Sequence, residues 1–245
     1  MSGRAPGVRP YDATMNLHVL HESRVLAQLV GGTPPACDAL ACRLGAPQQV
    51  AAAWIDGNPL QDGWLASVEV PGPRLMCWSG SLGPQPFEPH PANWMRPGRT
   101  ALDALVTRAA AALEAQGVSL CLRPHAHQVL SDAQGCLRFL ADHAGLPVQV
   151  ALAPVDLVTA GMLAELPEHL SRIFTSLGPR AAVVLLEDLR PAEGDEPPGR
   201  APLGQGVLPR DLVLELLRSH VPPETPVIVR AEGLSGQLAW LGLTG

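Results

Sequence analysis

The sequence predicts a closed β/α barrel of the α/β class, built as a single domain over residues 1–245. Three observations predict it. The chain has 245 residues, 47% of them hydrophobic, which suits one barrel of about 250 residues with a large core. No linker divides it near the middle. Short β-rich runs alternate with helix-like runs, the pattern of a parallel sheet with crossover helices. Within the run 118–123, Ser119, Cys121 and Arg123 share one face and Leu120 and Leu122 the other. The leucines suit a helix-covered outer wall, and the small polar set suits a barrel interior, with Arg123 at the C-terminal end of its strand, where barrel active sites lie.

Taken in order, residues 15–20 read as a strand, and 22–30 as a helix closed by Gly31-Gly32. Residues 37–44 read as a strand, 48–54 as a short helical piece, and 64–70 and 73–78 as two strands around Pro71-Gly72-Pro73. The stretch 56–80 leaves little room for a full helix, so the barrel is expected to be irregular or shortened around strands three and four. A Pro-rich loop with Phe87, His90 and Trp94 precedes an amphipathic helix at 100–116, with Thr100 as its cap, Asp103 as the box partner and Gly117 as its end. Strands at 118–122, 147–153, 181–186 and 226–230 alternate with helices at 131–144, 161–177 and 209–220. Residues 192–206 read as a polar loop, its acidic part solvated, and 238–243 as an apolar tail. An open doubly wound sheet is the alternative, but no G-x-G-x-x-G follows the first strand.

Composition excludes several functions. A net charge of −6 gives no general basic field, so no nucleic-acid partner is expected. All 17 basic residues are Arg, which rules out Schiff-base chemistry through Lys and a phosphate loop ending in G-K. The five Cys form no C-x-x-C pair, and Cys42, Cys77 and Cys121 sit in apolar runs that suggest buried thiols. No apolar stretch approaches the length of a membrane span and no signal segment opens the chain, so a cytoplasmic protein is expected.

Four segments carry a family resemblance. Residues 117–125 (Gly-Val-Ser-Leu-Cys-Leu-Arg-Pro-His) are similar to "Gv-x-l-x-l-E-n-H". Residues 151–157 (Ala-Leu-Ala-Pro-Val-Asp-Leu) are similar to "l-D-p-x-h-l", 184–188 (Val-Leu-Leu-Glu-Asp) to "v-H-l-k-D", and 202–207 (Pro-Leu-Gly-Gln-Gly-Val) to "p-l-G-x-G". In this order and spacing they resemble the xylose isomerase-like TIM barrels. These are the sugar phosphate isomerase/epimerase family related to type 2 AP endonucleases. The resemblance covers roughly residues 100–232. It implies a (β/α)8 barrel, a sugar-type substrate, and a divalent metal held by Glu, Asp, His and Glu at strand ends. The matching positions here are Arg123, Ala153, Leu185 and Arg230. A guanidinium has no lone pair to donate, so no metal cofactor is expected.

The candidate site residues follow. Arg123 and Arg230 are read either as a bidentate clamp for a carboxylate or phosphate or as struts paired to Glu187, Asp188 or Glu232. His125, Glu187 and Asp188 are the candidate catalytic groups, for proton transfer next to a carbonyl. Trp78 and Glu232 complete the expected ligand-binding set, Trp78 as a face for a sugar. His127, in the run His125-Ala126-His127, and Phe87, His90 and Trp94, in the loop after Trp78, are read as either site or packing. Three functional readings are open. The first is a metal-free barrel binding a small sugar, carboxylate or phosphate ligand, without required turnover. The second is an active isomerase or epimerase, using a rearranged metal site (His18, His125, His127, Asp188) or metal-free acid/base chemistry. The third is a non-catalytic scaffold.

Overall fold

The computed structural model describes residues 15–30, 35–61, 64, 69–191 and 198–243. The chain opens with β1 (Leu17–Glu22), α1 (Ser23–Val30), β2 (Ala39–Arg43), β3 (Ala46–Trp54) and β4 (Arg74–Trp78). It continues through α2 (Arg96–Gln116), β5 (Ser119–Arg123), α3 (Ala133–Asp142), β6 (Val148–Leu152), α4 (Leu166–Leu177) and β7 (Ala181–Leu185). A small hairpin of β8 (Asp188–Arg190) and β9 (Gly199–Ala201) leads to α5 (Arg210–His220), β10 (Val227–Arg230) and α6 (Leu234–Leu241).

Eight strands close into a barrel in the order β1-β10-β7-β6-β5-β4-β3-β2. All neighbours run parallel except β2, which is antiparallel to both β1 and β3. The irregular part of the barrel is therefore β1–β3. The β8–β9 hairpin stands outside the barrel sheet.

Two expectations are corrected in this region. Residues 48–54, read as helical, belong to β3. The alanines that suggested a helix serve a barrel wall instead: Ala51, Ala52 and Ala53 are buried, and tertiary packing overrides the helix preference of Ala. Gly45, at φ 77°, turns β2 back into β3 in a conformation that suits Gly. The strand expected at 64–70 falls mostly outside the described residues, as do Gly31-Gly32 and the acidic segment 193–196. A further correction concerns α2, which starts at Arg96, one turn before Thr100, with Pro97 in its first turn. Its end is as expected, with Gly117 left-handed at φ 65°. The apolar run at 238–243 largely falls in α6.

The strand alternation sorts the core into two clusters. The outer one packs Leu75, Leu120, Leu122, Val150 and Leu152 against helix stripes such as Leu102, Val106 and Leu113 of α2 and Leu170, Phe174 and Leu177 of α4. The inner one fills the barrel with Ala41, Ala52, Met76, Cys121, Ala151, Val183 and Ile228, below Trp54 and Trp78. The expected faces of β5 are thus the observed ones. Cys42, Cys77, Cys121 and Cys136 are buried free thiols. Among the described residues, no helix is long and apolar enough to cross a membrane.

Phe174 is wholly buried in the outer cluster. Phe174→Ala is expected to remove about 3–5 kcal/mol of stability in urea titration, through lost contact area and the cavity left between α4 and the wall.

Candidate ligand-binding site at the barrel mouth

The C-terminal ends of β3, β4, β5 and β10 place Trp54, Trp78, Arg123 and Arg230 around one mouth, each on the inward phase of its strand. Three further charges come from the connections above. A 3-10 turn after β6 (Pro154–Leu157) supplies Asp156, the residue two beyond β7 is Glu187, and β9 supplies Arg200.

These groups form one chain of ion pairs. Arg123 donates from Nε to Asp156 Oδ2 at 2.5 Å and from Nη2 to Glu187 Oε2. Arg200 donates from Nε to the other Asp156 oxygen at 2.6 Å, and Arg230 Nη1 stands 3.7 Å from Glu187 Oε1. Burial decides what each pair is for. The side chains of Arg123 and Asp156 are 6% and 1% exposed, whereas those of Arg200 and Arg230 are 30% and 40% exposed. Desolvating a guanidinium costs several kcal/mol, which only tight pairing offsets. Arg123 and Asp156 have that pairing, and Arg230 sits at a loose rim contact.

The aromatic rings complete the packing of Arg123 and Arg200. The Arg123 guanidinium lies 4.6 Å from the Trp78 ring centre and 5.7 Å from Trp54, and Arg200 lies 4.7 Å from Trp78 and 5.6 Å from Phe87. Such contacts hold a cation in place electrostatically. Trp54 and Phe87 meet Trp78 edge to face, and Trp78 Nε1 donates to Asp56 Oδ1 at 3.0 Å. Trp78 is only 5% exposed. It therefore packs against guanidinium groups rather than presenting an open face to a sugar.

The loop that brings Phe87 over the mouth is tied down by side-chain amides. Ser79 Oγ donates to Gln128 Oε1, and Asn93 Nδ2 donates to Ser81 Oγ and the His127 carbonyl. His127 donates from Nδ1 to the Phe87 carbonyl at 2.6 Å. His125 is edge-on to Phe87 at 5.1 Å and to Trp78 at 6.1 Å, and its Nδ1 accepts the His127 backbone N–H.

Electrostatics follow from this packing. Burial pushes the Asp156 carboxyl up, but the Arg123 and Arg200 charges outweigh it and hold the group below its ordinary value. Burial alone would weaken the Arg123 cation, yet Asp156 and Glu187 raise its pKa. Burial lowers His125 to about 4, with the nearby Arg200, His127 and Arg123 charges adding to burial and Asp156 opposing it. At neutral pH this ring is uncharged and a weak base, unlike the general base expected near pH 7.

Two expected site residues are placed elsewhere. Asp188 is buried, and its carboxylate accepts from the backbone N–H groups of Leu189, Gly204 and Leu208. Both oxygens are spent on the loop that follows β9, which gives Asp188 a structural post instead of a proton-transfer role. Gly206 lets the loop come this close, since a Cβ there would stand 2.4 Å from Asp188 Oδ1. Glu232 is exposed, and its backbone carbonyl accepts from Gln237. Asp156 and Arg200 are the site residues that sequence reading missed. The requirement that a buried Arg123 find acids pointed toward Asp156, which lies just past a strand end. Arg200 lay in a segment read only as polar loop.

Arg123, Ala153, Leu185 and Arg230 offer no lone pair, and two guanidiniums repel a cation; these positions do not fit the metal that the family resemblance implies. The rearranged set is not assembled either, because His18 lies near the opposite, N-terminal end of β1 and Asp188 is bonded to amides. Among the described residues, no group of three or more His, Cys, Asp and Glu is placed to hold a metal ion.

No family model matches the sequence, and no curated protein is similar to it in sequence. Among solved structures, the chain is similar over 70% of its length to the probable 3-DHS dehydratase AsbF from Bacillus anthracis, covering 62% of that chain (12% identity, TM-score 0.49). It is similar over 71% to a xylose isomerase-like TIM barrel protein from Mycobacterium smegmatis in complex with magnesium, covering 63% of that chain (14% identity, TM-score 0.46). It is also similar over 71% to endonuclease IV from Thermus thermophilus, covering 63% of that chain (20% identity, TM-score 0.44). The chain thus spans less than two thirds of these proteins. The barrel itself is established by the strand order described above.

Two outcomes test this geometry. Arg123→Met is expected to cost about 3–5 kcal/mol, because it strands two buried carboxylates, whereas Arg230→Ala should cost less than about 1 kcal/mol, as exposed pairs do; chemical denaturation of both variants compares them. The second concerns pH. The unfolded His125 binds a proton near its ordinary pKa of 6.5, and the folded ring only near 4. Stability should therefore fall as pH drops from about 6.5 toward 4, and His125→Gln should weaken the dependence in melting curves recorded across that window, leaving the part due to His18 and His21, which burial also lowers.

Proposed function

We propose that this barrel is of the sugar isomerase/epimerase type, that it works without the divalent metal of such barrels, and that it binds a small anionic or polyhydroxylated ligand at its mouth without turnover. The observation that carries this reading is Arg123. A guanidinium occupies the strand end where the resemblance implies a carboxylate ligand, and Asp156, Glu187 and Trp78 hold it there.

The same geometry argues against acid/base turnover. Glu187 is ion-paired, Asp188 is bonded to three amides, and His125 is a weak base. What the mouth offers is cationic edges at its rim. Arg200 is anchored through Nε and stacked on two rings, and among the described residues its Nη1 and Nη2 carry no protein hydrogen bond. An oriented guanidinium fork of this kind suits a carboxylate or phosphate, since little rotamer entropy remains to be lost. Arg230 is half-exposed beside it in the ion-pair chain.

One observation favours a second reading, a scaffold with no ligand. The mouth is filled by its own side chains, and Trp54, Trp78 and Arg123 are buried.

A melting screen separates the two. Sugar phosphates and small di- or tricarboxylates are expected to raise Tm saturably in the wild type, and Arg230→Ala and Arg200→Ala to weaken binding about tenfold or more each, the scale for a lost charge-assisted bond. Mn²⁺ and Mg²⁺ are expected to leave Tm unchanged. A stoichiometric metal in the purified protein would overturn the metal-free part. Absence of any response across the screen would favour the scaffold.

A further inference from the structure

The N-terminal end of the barrel, opposite the mouth, holds a second group of cations with a different balance. Arg74 begins β4 and stands beside Ser119 in the register of β5. Arg43 ends β2 directly opposite His18 of β1. Alternation along β1, β2, β4 and β5 sets His18, Arg43, Arg74 and Ser119 on the inward phase of their strands at this end, with His18 buried, Arg74 and Ser119 half-buried and Arg43 exposed. At the mouth every arginine has a carboxylate partner. Here, among the described residues, neither Arg43 nor Arg74 has one within 4.0 Å.

The donors at this end are under-used. Arg74 bonds one backbone oxygen, that of Ala51, through Nη1 at 3.3 Å, while its Nε is buried with no partner. The side-chain Oε1 of Gln149 accepts from the Cys121 thiol, which turns the Gln149 amide N–H₂ away from that bond. His18, 4% exposed, donates from Nδ1 to the Asn16 carbonyl, so its Nε2 becomes a donor only when the ring is protonated. Ser119, Gln149 and Arg74 are half-buried rather than buried, so solvent reaches this end of the interior. A buried guanidinium N–H without an acceptor is costly, and a cluster of donors with no acid among them is the electrostatic complement of an anion.

We infer that the N-terminal end of the barrel is a binding site for a small oxyanion, held by Arg74 with Arg43, His18, Ser119 and Gln149 around it. The anion supplies a charge partner for Arg74, which has no carboxylate within 4.0 Å among the described residues. This site is separate from the mouth and does not depend on the function proposed for the mouth.

The test uses inorganic phosphate as probe, with chloride at matched ionic strength as control. Phosphate is expected to raise the Tm of the wild type saturably. The effect should persist in an Arg200→Ala/Arg230→Ala variant, which removes the mouth's own anion response, and should disappear when Arg74→Met is added to it. The His18 ring, assigned by comparison with His18→Gln in an NMR titration, should gain about one pKa unit in phosphate, the size expected from one nearby opposite charge. Acetate distinguishes the ligand group: a response to acetate as well extends the site to carboxylates and also supports it. The inference is overturned if phosphate acts no differently from chloride, if its effect survives Arg74→Met in the Arg200→Ala/Arg230→Ala background, or if Arg200→Ala/Arg230→Ala alone removes it, which would put the anion at the mouth. Should Arg74→Met fail to fold, the wild-type His18 titration decides, and an unmoved His18 in phosphate overturns the site. A failure here leaves the mouth reading intact, because that reading stands on Arg200 and Arg230.

Discussion

A guanidinium buried in the axis of a barrel cannot stay charged unless its surroundings replace the water it has lost, and Arg123 organises the upper half of this molecule around that requirement. Its two paired nitrogens reach one acid after β6 and another after β7, and its plane rests on indole rings from β3 and β4. Four neighbouring segments are thereby committed to fixed positions. Asp156 passes the constraint outward to Arg200, and Glu187 passes it to Arg230. Pairing inside a low-dielectric interior is strong only when geometry is good, which is why contact loosens and exposure rises from the centre of this chain toward its rim.

The interior below obeys a size constraint. Trp54, Trp78 and Met76 share the inner cluster with Val183, Leu185 and Ile228, and five of its other positions are alanine: Ala39, Ala41, Ala52, Ala151 and Ala153. A barrel of eight strands has room for layers of side chains and little more. Indoles at the top are therefore matched by methyl groups around them. The run of alanines in β3 exists for this reason, and it is also why the local preference of those alanines for helix is overridden.

The segment after β9 shows how a motif keeps its shape while its chemistry moves. Gly204, at φ 85°, and Gly206, with no room for a Cβ, let the chain wrap the Asp188 carboxylate. Three backbone N–H groups close on that carboxylate. The acid ties β8 to the loop that follows β9, and β9 in turn carries Arg200 to the mouth. Asp188 thus acts on the mouth through the backbone it holds.

Much of the molecule was legible in the residues alone. The inward set Ser119, Cys121 and Arg123, the outward leucines between them, the strands of the second half and the glycine end of α2 are local consequences of period, volume and backbone freedom, so the chain determines them by itself. The buried pairing of Arg123 was also legible as a need, because a charge in a core requires a partner. Which acid meets it was decided only by folding. Asp156 and Glu187 are 33 and 64 residues from Arg123 in the chain, and only closure of the barrel brings the ends of β5, β6 and β7 together. The same closure turned an alanine-rich run into β3, set β2 antiparallel, and left Asp188 among amides instead of at the mouth. These outcomes depend on contacts between distant segments, and no local pattern of residues specifies such contacts.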